Sequence, residues 1–402
     1  MKVETFRKID FFLGIPACFL LSLISNLKRL LSTNRNITVQ PENILFLQLS
    51  ETGALILAYP AIKKVKEKYP NANIYLLIFK ESSEFTKHLG IIPRENIILM
   101  RSANFWTLLV DFFRNIKRIK EYKIDTVIDL ELFSRFSSVL SYLSGAKNKA
   151  GFYRYTLEGL YRGNLHTHKV SYNSYAHISK NFISLVDSLD ASLDNLPLLK
   201  SPNGVEDCSL PKISISDQGR QNIWNKLKSG NDLINQNSKI IVINIYLDDK
   251  VVIRQWPVGN YLDLIRRLLE DTDAFIVLVG GGVGNVASIF PKHKRCIDLI
   301  GKTIFHELVD LFNISDILIS SDGRIVHLAA LTDIYIIAFF GPETPQLYGP
   351  LTKNKMIFYK RYFCSPCLSA YNYKNSICRD NQCMKAITVD EVHKAVMGII
   401  VR

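Results

Sequence analysis

The sequence predicts an α/β chain of two doubly wound parallel-sheet domains facing a central cleft, preceded by an apolar N-terminal helix. Three observations carry this. The 402 residues exceed what one compact core usually holds. Short apolar runs alternate with longer amphipathic ones, in one series before residue 200 and another after residue 212. Between the series, Leu196–Lys212 carries Pro197, Pro202, Gly204 and Pro211 and shows little periodicity, as a joint between domains does.

The elements follow in order. From Phe11 to Leu27 the chain has 17 residues without a charge, flanked by Arg7, Lys8 and Asp10 and by Lys28 and Arg29. A spanning helix needs roughly 20 apolar residues, and this run contains Gly14, Pro16, Ser22, Ser25 and Asn26. No small-residue cleavage site of a signal peptide follows it. The preferred reading is an interfacial or re-entrant anchor whose basic flanks meet anionic headgroups; a true span and an ordinary buried helix remain the alternatives. After a polar linker (Ser32 to Glu42), strands are expected at Ile44–Leu49, Ile74–Phe79, Ile97–Met100 and Thr126–Leu130, with helices at Ala54–Lys68 and Phe105–Lys120. Past the joint come strands at Lys239–Ile245, Phe275–Val279, Ile317–Ser320 and Tyr335–Phe340, with helices at Val258–Glu270 and Ile325–Leu331. The expected divisions are 1–40 (apolar, membrane-associating segment and linker), 41–200 (first domain), 201–212 (joint) and 213–402 (second domain).

Composition narrows the partners. Lys and Arg number 50 against 37 Asp and Glu, a net charge of +13 that favours an anionic membrane surface or phosphorylated substrates. No zinc-finger, homeodomain or RNP-like pattern accompanies the charge, so nucleic acid is not expected as a partner. Seven cysteines, an odd number, argue against a secreted disulfide framework and for the cytosol. Cys364, Cys367, Cys378 and Cys383 form two close pairs. Such pairs can hold zinc, make disulfides or stay as reduced packing residues.

Four segments, in order, carry a resemblance. The first is Ile44-Leu-Phe-Leu-Gln-Leu-Ser50-Glu51-Thr52-Gly53-Ala54-Leu55, followed by Tyr59-Pro60-Ala61-Ile62. The second is Ile128-Asp129-Leu130 with Phe133–Ser144, Gly145-Ala146-Lys147, Gly151-Phe152 and the later His177. The third is Arg254-Gln255-Trp256-Pro257. The fourth runs from Ser320-Ser321-Asp322-Gly323-Arg324 through His327 to Phe340-Gly341-Pro342. Together they resemble glycosyltransferase family 9, the lipopolysaccharide heptosyltransferases, whose fold is GT-B, two Rossmann-like domains.

The resemblance implies inverting transfer of a sugar, a heptose in the family, from a nucleotide-diphosphate donor to a lipid-linked saccharide. It gives the first domain the acceptor, at Ser50, Thr52 and Gly53 with Arg135, and the second domain the donor. The donor residues it implies are Arg254, Gly281, Gly282, Asp322, Gly323, Arg324 and His327. Physical reasons stand beside it. Backbone N–H groups of residues 322–325 at a helix start can meet a diphosphate, Arg254 offers a bidentate positive charge, and Gly280–Gly284 lets backbone approach a nucleotide. Asp322 could instead merely cap the helix. Basic residues of the first domain (Arg114, Lys117, Arg118, Arg135, Lys147, Lys149, Arg154) could meet an anionic acceptor or be a solvated face.

Two departures from the family matter. The family's acidic residue near the end of the glycine turn is replaced by Gly284 and Asn285, which leaves the base of the nucleotide open. The family's Asp after the first-turn glycine, its catalytic base, is Ala54 here. Glu51 is the nearest carboxylate and the candidate base; its alternatives are a helix cap or a site that has lost catalysis. No Asp-x-Asp metal motif stands in a matching place, so no cofactor or metal is expected beyond the donor nucleotide sugar. A nucleotide-sugar epimerase of the same architecture and an inactive sugar-nucleotide binder remain alternatives. The expected location is cytoplasmic, peripherally attached to the inner membrane.

Overall fold

The computed structural model describes residues 3–31, 40–49, 52–83, 90–153, 160–191, 199–200, 208–229, 231, 233–245, 249–281 and 289–400. The chain divides into two compact units, Met1–Cys208 and Ser209–Arg402. The first opens with two helices rather than the single one expected, α1 (Val3–Phe12) and α2 (Gly14–Leu31). The break has a cause in the sequence: Pro16 has no N–H to give the Phe12 carbonyl four residues earlier.

Beyond these helices come β1 (Asn43–Leu47), α3 (Thr52–Lys68), β2 (Asn73–Phe79), β3 (Ile97–Met100), α4 (Phe105–Glu121), β4 (Thr126–Asp129), α5 (Arg135–Leu143), β5 (Asn148–Tyr153), β6 (His168–Ser171), α6 (Ile178–Asp187) and β7 (Leu199–Lys200). The seven strands make one parallel sheet in the order β3-β2-β1-β4-β5-β6-β7. Parallel strands need covered faces, and the runs read accordingly: Ile44, Leu45, Phe46 and Leu47 are all fully buried. Helices α4 and α5 share one face of the sheet, meeting at Phe112 and Phe136 (5.2 Å between rings), and α3 packs with α6 on the other. β7 lies inside the stretch that reads as a joint. A two-residue edge strand has too little sequence to show a period.

The second unit contains α7 (Asp217–Lys228), β8 (Ile240–Asn244), α8 (Val258–Asp271), β9 (Phe275–Val279), β10 (Cys296–Asp298), α9 (Phe305–Asn313), β11 (Ile317–Ser321), α10 (Arg324–Ala329), β12 (Tyr335–Phe340), α11 (Pro345–Tyr348), β13 (Lys355–Tyr359), α12 (Gln382–Lys385) and α13 (Val389–Ile400). Its six strands are parallel, in the order β10-β9-β8-β11-β12-β13. Trp256, Leu264, Leu268, Phe339, Met384 and Val396 belong to its core. In both sheets the strand order reverses once, between β1 and β4 and between β8 and β11. Ligands of doubly wound sheets bind beyond the carboxyl ends of strands at such a reversal.

Candidate active site

At the reversal of the first sheet, β1 runs out at Gln48 and Leu49 beside the end of β4. The Glu131 carboxylate, 5% exposed, accepts the Leu49 N–H at 2.6 Å and the Gln48 side-chain amide at 3.1 Å. It therefore holds the last described residues before α3. The next pair, Ser50 and Glu51, lies outside the described residues; Thr52 and Gly53 open α3 and Ala54 follows within it. Behind Glu131 is a buried polar knot. Asp129 accepts the Glu131 N–H (3.1 Å) and the Ser137 hydroxyl (2.8 Å), and pairs with Arg162 and His166. Burial would push the Asp129 carboxyl up, but the Arg162 guanidinium, His166 and Ser137 outweigh it and hold it below the usual carboxylate range. Burial, with Arg162 adding to it, pushes His166 down to about 4, so this histidine is neutral at pH 7.

In the second unit three neighbouring strand ends converge on Arg254. Its guanidinium donates to Glu343 at 2.7 Å, just past β12, and stands 3.5 Å from Asp322, just past β11. Arg254 itself ends a short 3-10 turn after β8. Lys374 reaches the same Glu343 carboxylate at 3.5 Å and lies 4.2 Å over the Tyr348 ring. Trp256 anchors the loop: its backbone N–H donates to the Ser321 hydroxyl (3.2 Å), its indole N–H to the Ile387 carbonyl (2.9 Å), and its ring packs against Phe339. The Asn381 amide adds bonds to the carbonyls of Ile253 and Gln255.

The turn after β11 differs in detail from expectation. Gly323, not Asp322, is the N-cap residue, so the reading of Asp322 as a simple cap gives way to its pairing with Arg254. The Asp322 N–H is not free for a ligand, because it donates to the Phe339 carbonyl at 2.9 Å. α10 is only six residues long, too short for a large dipole. An anion at this turn would meet the side chains of Arg254 and Lys374 more than a helix dipole. Arg324 is exposed at its first position and His327 is buried one turn in. At the glycine turn, Gly280 has φ +141° and a Cβ there would stand 1.9 Å from the Ile245 carbonyl oxygen, so only glycine fits. Gly281 follows half-buried; Gly282, Gly284 and Asn285 lie outside the described residues.

Several expected contacts are placed elsewhere. Arg135 is 1% exposed beneath the N-terminal helices and paired with Asp10 at 3.3 Å, so it fastens those helices and is not open to an acceptor. Lys149 donates to the Ala146 carbonyl, and burial pushes it down to about 8. Arg114 pairs with Asp111, Lys117 with Glu121 and Arg118 with Tyr122, while Lys147 is exposed. Arg154 lies outside the described residues. His177 caps α6 through the Ser179 N–H. The four C-terminal cysteines are free thiols, and among the described residues no group of three or more His, Cys, Asp or Glu is placed to hold a metal. The segment containing them delivers Lys374 and Asn381 to the Arg254 site. Sequence reasoning missed Glu131, Glu343 and Lys374; the carboxylate directly after Phe340-Gly341-Pro342 was the available signal.

Comparison with known proteins follows the same pattern. The family model for glycosyltransferase family 9 (heptosyltransferase) matches residues 112–377. Lipooligosaccharide heptosyltransferase 2 of Haemophilus influenzae is 22% identical over 326 residues, covering 78% of this chain and 88% of its own. A family 9 glycosyl transferase from Veillonella parvula superposes with TM-score 0.69 at 18% identity, over 92% of this chain and 99% of its own. The Escherichia coli ADP-heptose lipopolysaccharide heptosyltransferase II gives TM-score 0.65 at 16% identity, over 89% and 98%. At these identities the solved structures speak for the fold, which is GT-B. The family match spans the end of the first unit's sheet, the Arg254 loop and the turn after β11, and the chain belongs to glycosyltransferase family 9, the heptosyltransferases, and is a glycosyltransferase.

Proposed function

We propose that this enzyme transfers a heptose from ADP-heptose to a phosphorylated, lipid-linked saccharide of the lipopolysaccharide type, inverting the anomeric carbon and using no metal. The name of the similar E. coli enzyme, an ADP-heptose lipopolysaccharide heptosyltransferase, supports this choice of donor. In this reading residues 41–200 hold the acceptor, through Ser50, Thr52 and Gly53. Residues 213–402 hold the donor, through Arg254, Gly281, Gly282, Asp322, Gly323, Arg324 and His327. Glu51 takes the proton of the acceptor hydroxyl as its oxygen bonds to the anomeric carbon. The bond to the ADP oxygen breaks on the opposite face, and the electron pair leaves with ADP. Arg254 meets the developing negative charge. The enzyme works at the cytoplasmic face, attached to the inner membrane through residues 1–40.

The observation that carries the reading is the convergence of three strand ends on Arg254 at the sheet reversal. Buried Glu343 orients its guanidinium, and a diphosphate can compete for it. The test is a ligand screen of ADP-, GDP-, UDP- and dTDP-sugars by thermal shift, followed by an assay of nucleotide release. ADP-heptose is expected to stabilise the chain, and ADP release to depend on added lipid acceptor. Preference for another nucleotide overturns the donor assignment. Release without acceptor, or binding without release under any acceptor extract, points to an epimerase or an inactive binder.

A further inference from the structure

We propose that the first unit docks on an anionic bilayer through one composite face made by α1, α2 and α4, lying along the membrane rather than crossing it. The proposal rests on the membrane attachment in the proposed function and adds α4, and an orientation, to it. By length and composition alone, Thr5–Lys28 could cross a membrane. The structure gives that stretch two different sides. Asp10, Gly14, Cys18 and Ser22, spaced four apart, are buried against the unit. Asp10 accepts the Phe136 N–H (2.7 Å) and the Ser134 hydroxyl (3.0 Å) at the start of α5, and pairs with Arg135. Ser22 accepts the Asn164 N–H at 2.7 Å, and Asn26 accepts the Asn164 amide at 2.9 Å. Gly163, at φ +68°, lets the chain approach this closely; a Cβ there would stand 2.4 Å from the Ser22 hydroxyl.

A span would have to break this attachment. It would draw Asp10 into hydrocarbon and leave Arg135 buried without its partner carboxylate. The uncharged part of α2, Gly14–Leu27, has 14 residues, about 21 Å of helix against a hydrocarbon core of roughly 30 Å. The other side of α2 presents Phe19, Leu20, Leu23, Ile24, Leu27 and Leu30 to solvent, the last 83% exposed. This pattern, polar contacts inward and apolar side chains outward, inverts what a free-standing soluble helix shows. It suits the headgroup–acyl boundary.

α4 shares that face. Helices α4 and α5 lie on the same side of the sheet, and α1 and α2 pack on α5 from outside. Phe6 of α1 and Phe112 of α4 both pack on Phe136. Along the outer side of α4 run Trp106, Val110 and Phe113, all exposed, followed by exposed Lys117 and Lys120. Arg7, Lys8 and Lys28 are exposed on the hairpin. Apolar stripes bordered by cations, with a tryptophan among them, are complementary to anionic headgroups over acyl chains.

The chain carries its own reporter, since it has three tryptophans and only Trp106 is exposed, at 72%, whereas Trp224 and Trp256 are buried. The full-length chain is mixed with vesicles of phosphatidylcholine, alone or with an equal part of phosphatidylglycerol. It is expected to sediment with the anionic vesicles and to show a blue shift in tryptophan emission. Trp106→Phe should keep the binding and lose the shift. Trp106→Ser with Val110→Ser and Phe113→Ser should weaken vesicle binding by about tenfold or more with thermal stability unchanged. Sedimentation without a blue shift, or full binding by the triple variant, overturns the part given to α4 while the hairpin attachment stands. A tag on the N-terminus that external protease removes from spheroplasts means a span and overturns the orientation. If the wild-type chain does not bind anionic vesicles at all, both the proposal and the attachment it rests on fall.

Discussion

Glu343, only 1% exposed, holds Arg254 through a 2.7 Å ion pair at the carboxyl end of the second sheet. Removing one partner of a buried pair is costly, because the other is left uncompensated. A diphosphate bound at Arg254 would supply the missing negative charge. Arg254→Ala and His327→Ala should therefore each weaken ADP binding by roughly 1–3 kcal/mol, as lost charge-assisted contacts do. Glu343→Gln should act with the opposite sign. The ligand-free chain melts lower, while ADP binds at least as tightly and restores the lost stability. Calorimetry and thermal shift with ADP alone decide this. A loss of ADP affinity in Glu343→Gln equal to that of Arg254→Ala would mean the carboxylate supports the ligand rather than competing with it.

The first sheet offers a test of positioning. Glu131 fixes the backbone at Leu49 by a 2.6 Å bond, immediately before Ser50 and Glu51. Glu131→Ala leaves a buried N–H without that partner, a loss of about 1–3 kcal/mol in stability. It should also lower kcat by roughly tenfold or more, since small displacements of a reacting group are expensive. ADP affinity should stay the same, and Glu131→Gln should recover much of the rate because its carbonyl oxygen still accepts. Equal kcat in wild type and Glu131→Ala, measured well below the melting temperature, would show that Leu49 is held without it.

Two histidines set a pH dependence. Burial pushes both His166 and His168 down to about 4 from 6.5, so both fold neutral. The unfolded chain takes up protons near pH 6.5 while the folded one does not. Stability is therefore complete above that pH and falls as pH drops toward 4. Between pH 7 and pH 5 the loss is about 2 kcal/mol per histidine, read as a lower urea midpoint for the first unit. His168→Phe should flatten the slope by about half. A midpoint that does not move between pH 7 and pH 5 contradicts the buried, neutral assignment.

Much of the fold was legible because parallel strands buried on both faces write themselves as apolar runs. Ile97–Met100, Phe275–Val279 and Tyr335–Phe340 match residue for residue. Asn148–Tyr153 begins with Asn and Lys, Lys355–Tyr359 begins with Lys, and Leu199–Lys200 is two residues long; none announces a strand. The candidate site was legible where a local motif names its residues: Arg254 and Asp322, each picked out by its own motif, stand 3.5 Å apart. It was not where a residue acts through a partner distant in sequence. Glu131 meets Gln48 across 83 residues and Glu343 meets Arg254 across 89. A local pattern can mark one member, as Phe340-Gly341-Pro342 marks Glu343, but not the partner it meets. Arg135 misled for the same reason, since its partner Asp10 comes 125 residues earlier.

The base assignment can be tested apart from the donor. Glu51→Gln keeps the size of the side chain and removes its basicity, so kcat should fall by about 10²–10⁴-fold with ADP affinity little changed. Adding Ala54→Asp to that variant restores the family's own base position and should recover activity. Transfer at the wild-type rate by Glu51→Gln would send the proton to another group.

The most direct measurement is the anomeric configuration of the product formed from ADP-heptose and a lipid-linked acceptor, read by NMR with ADP release followed in parallel. One inverted glycosidic linkage per ADP released is expected, and no release without acceptor. A retained configuration, or donor consumed in the absence of acceptor, would contradict the proposed transfer.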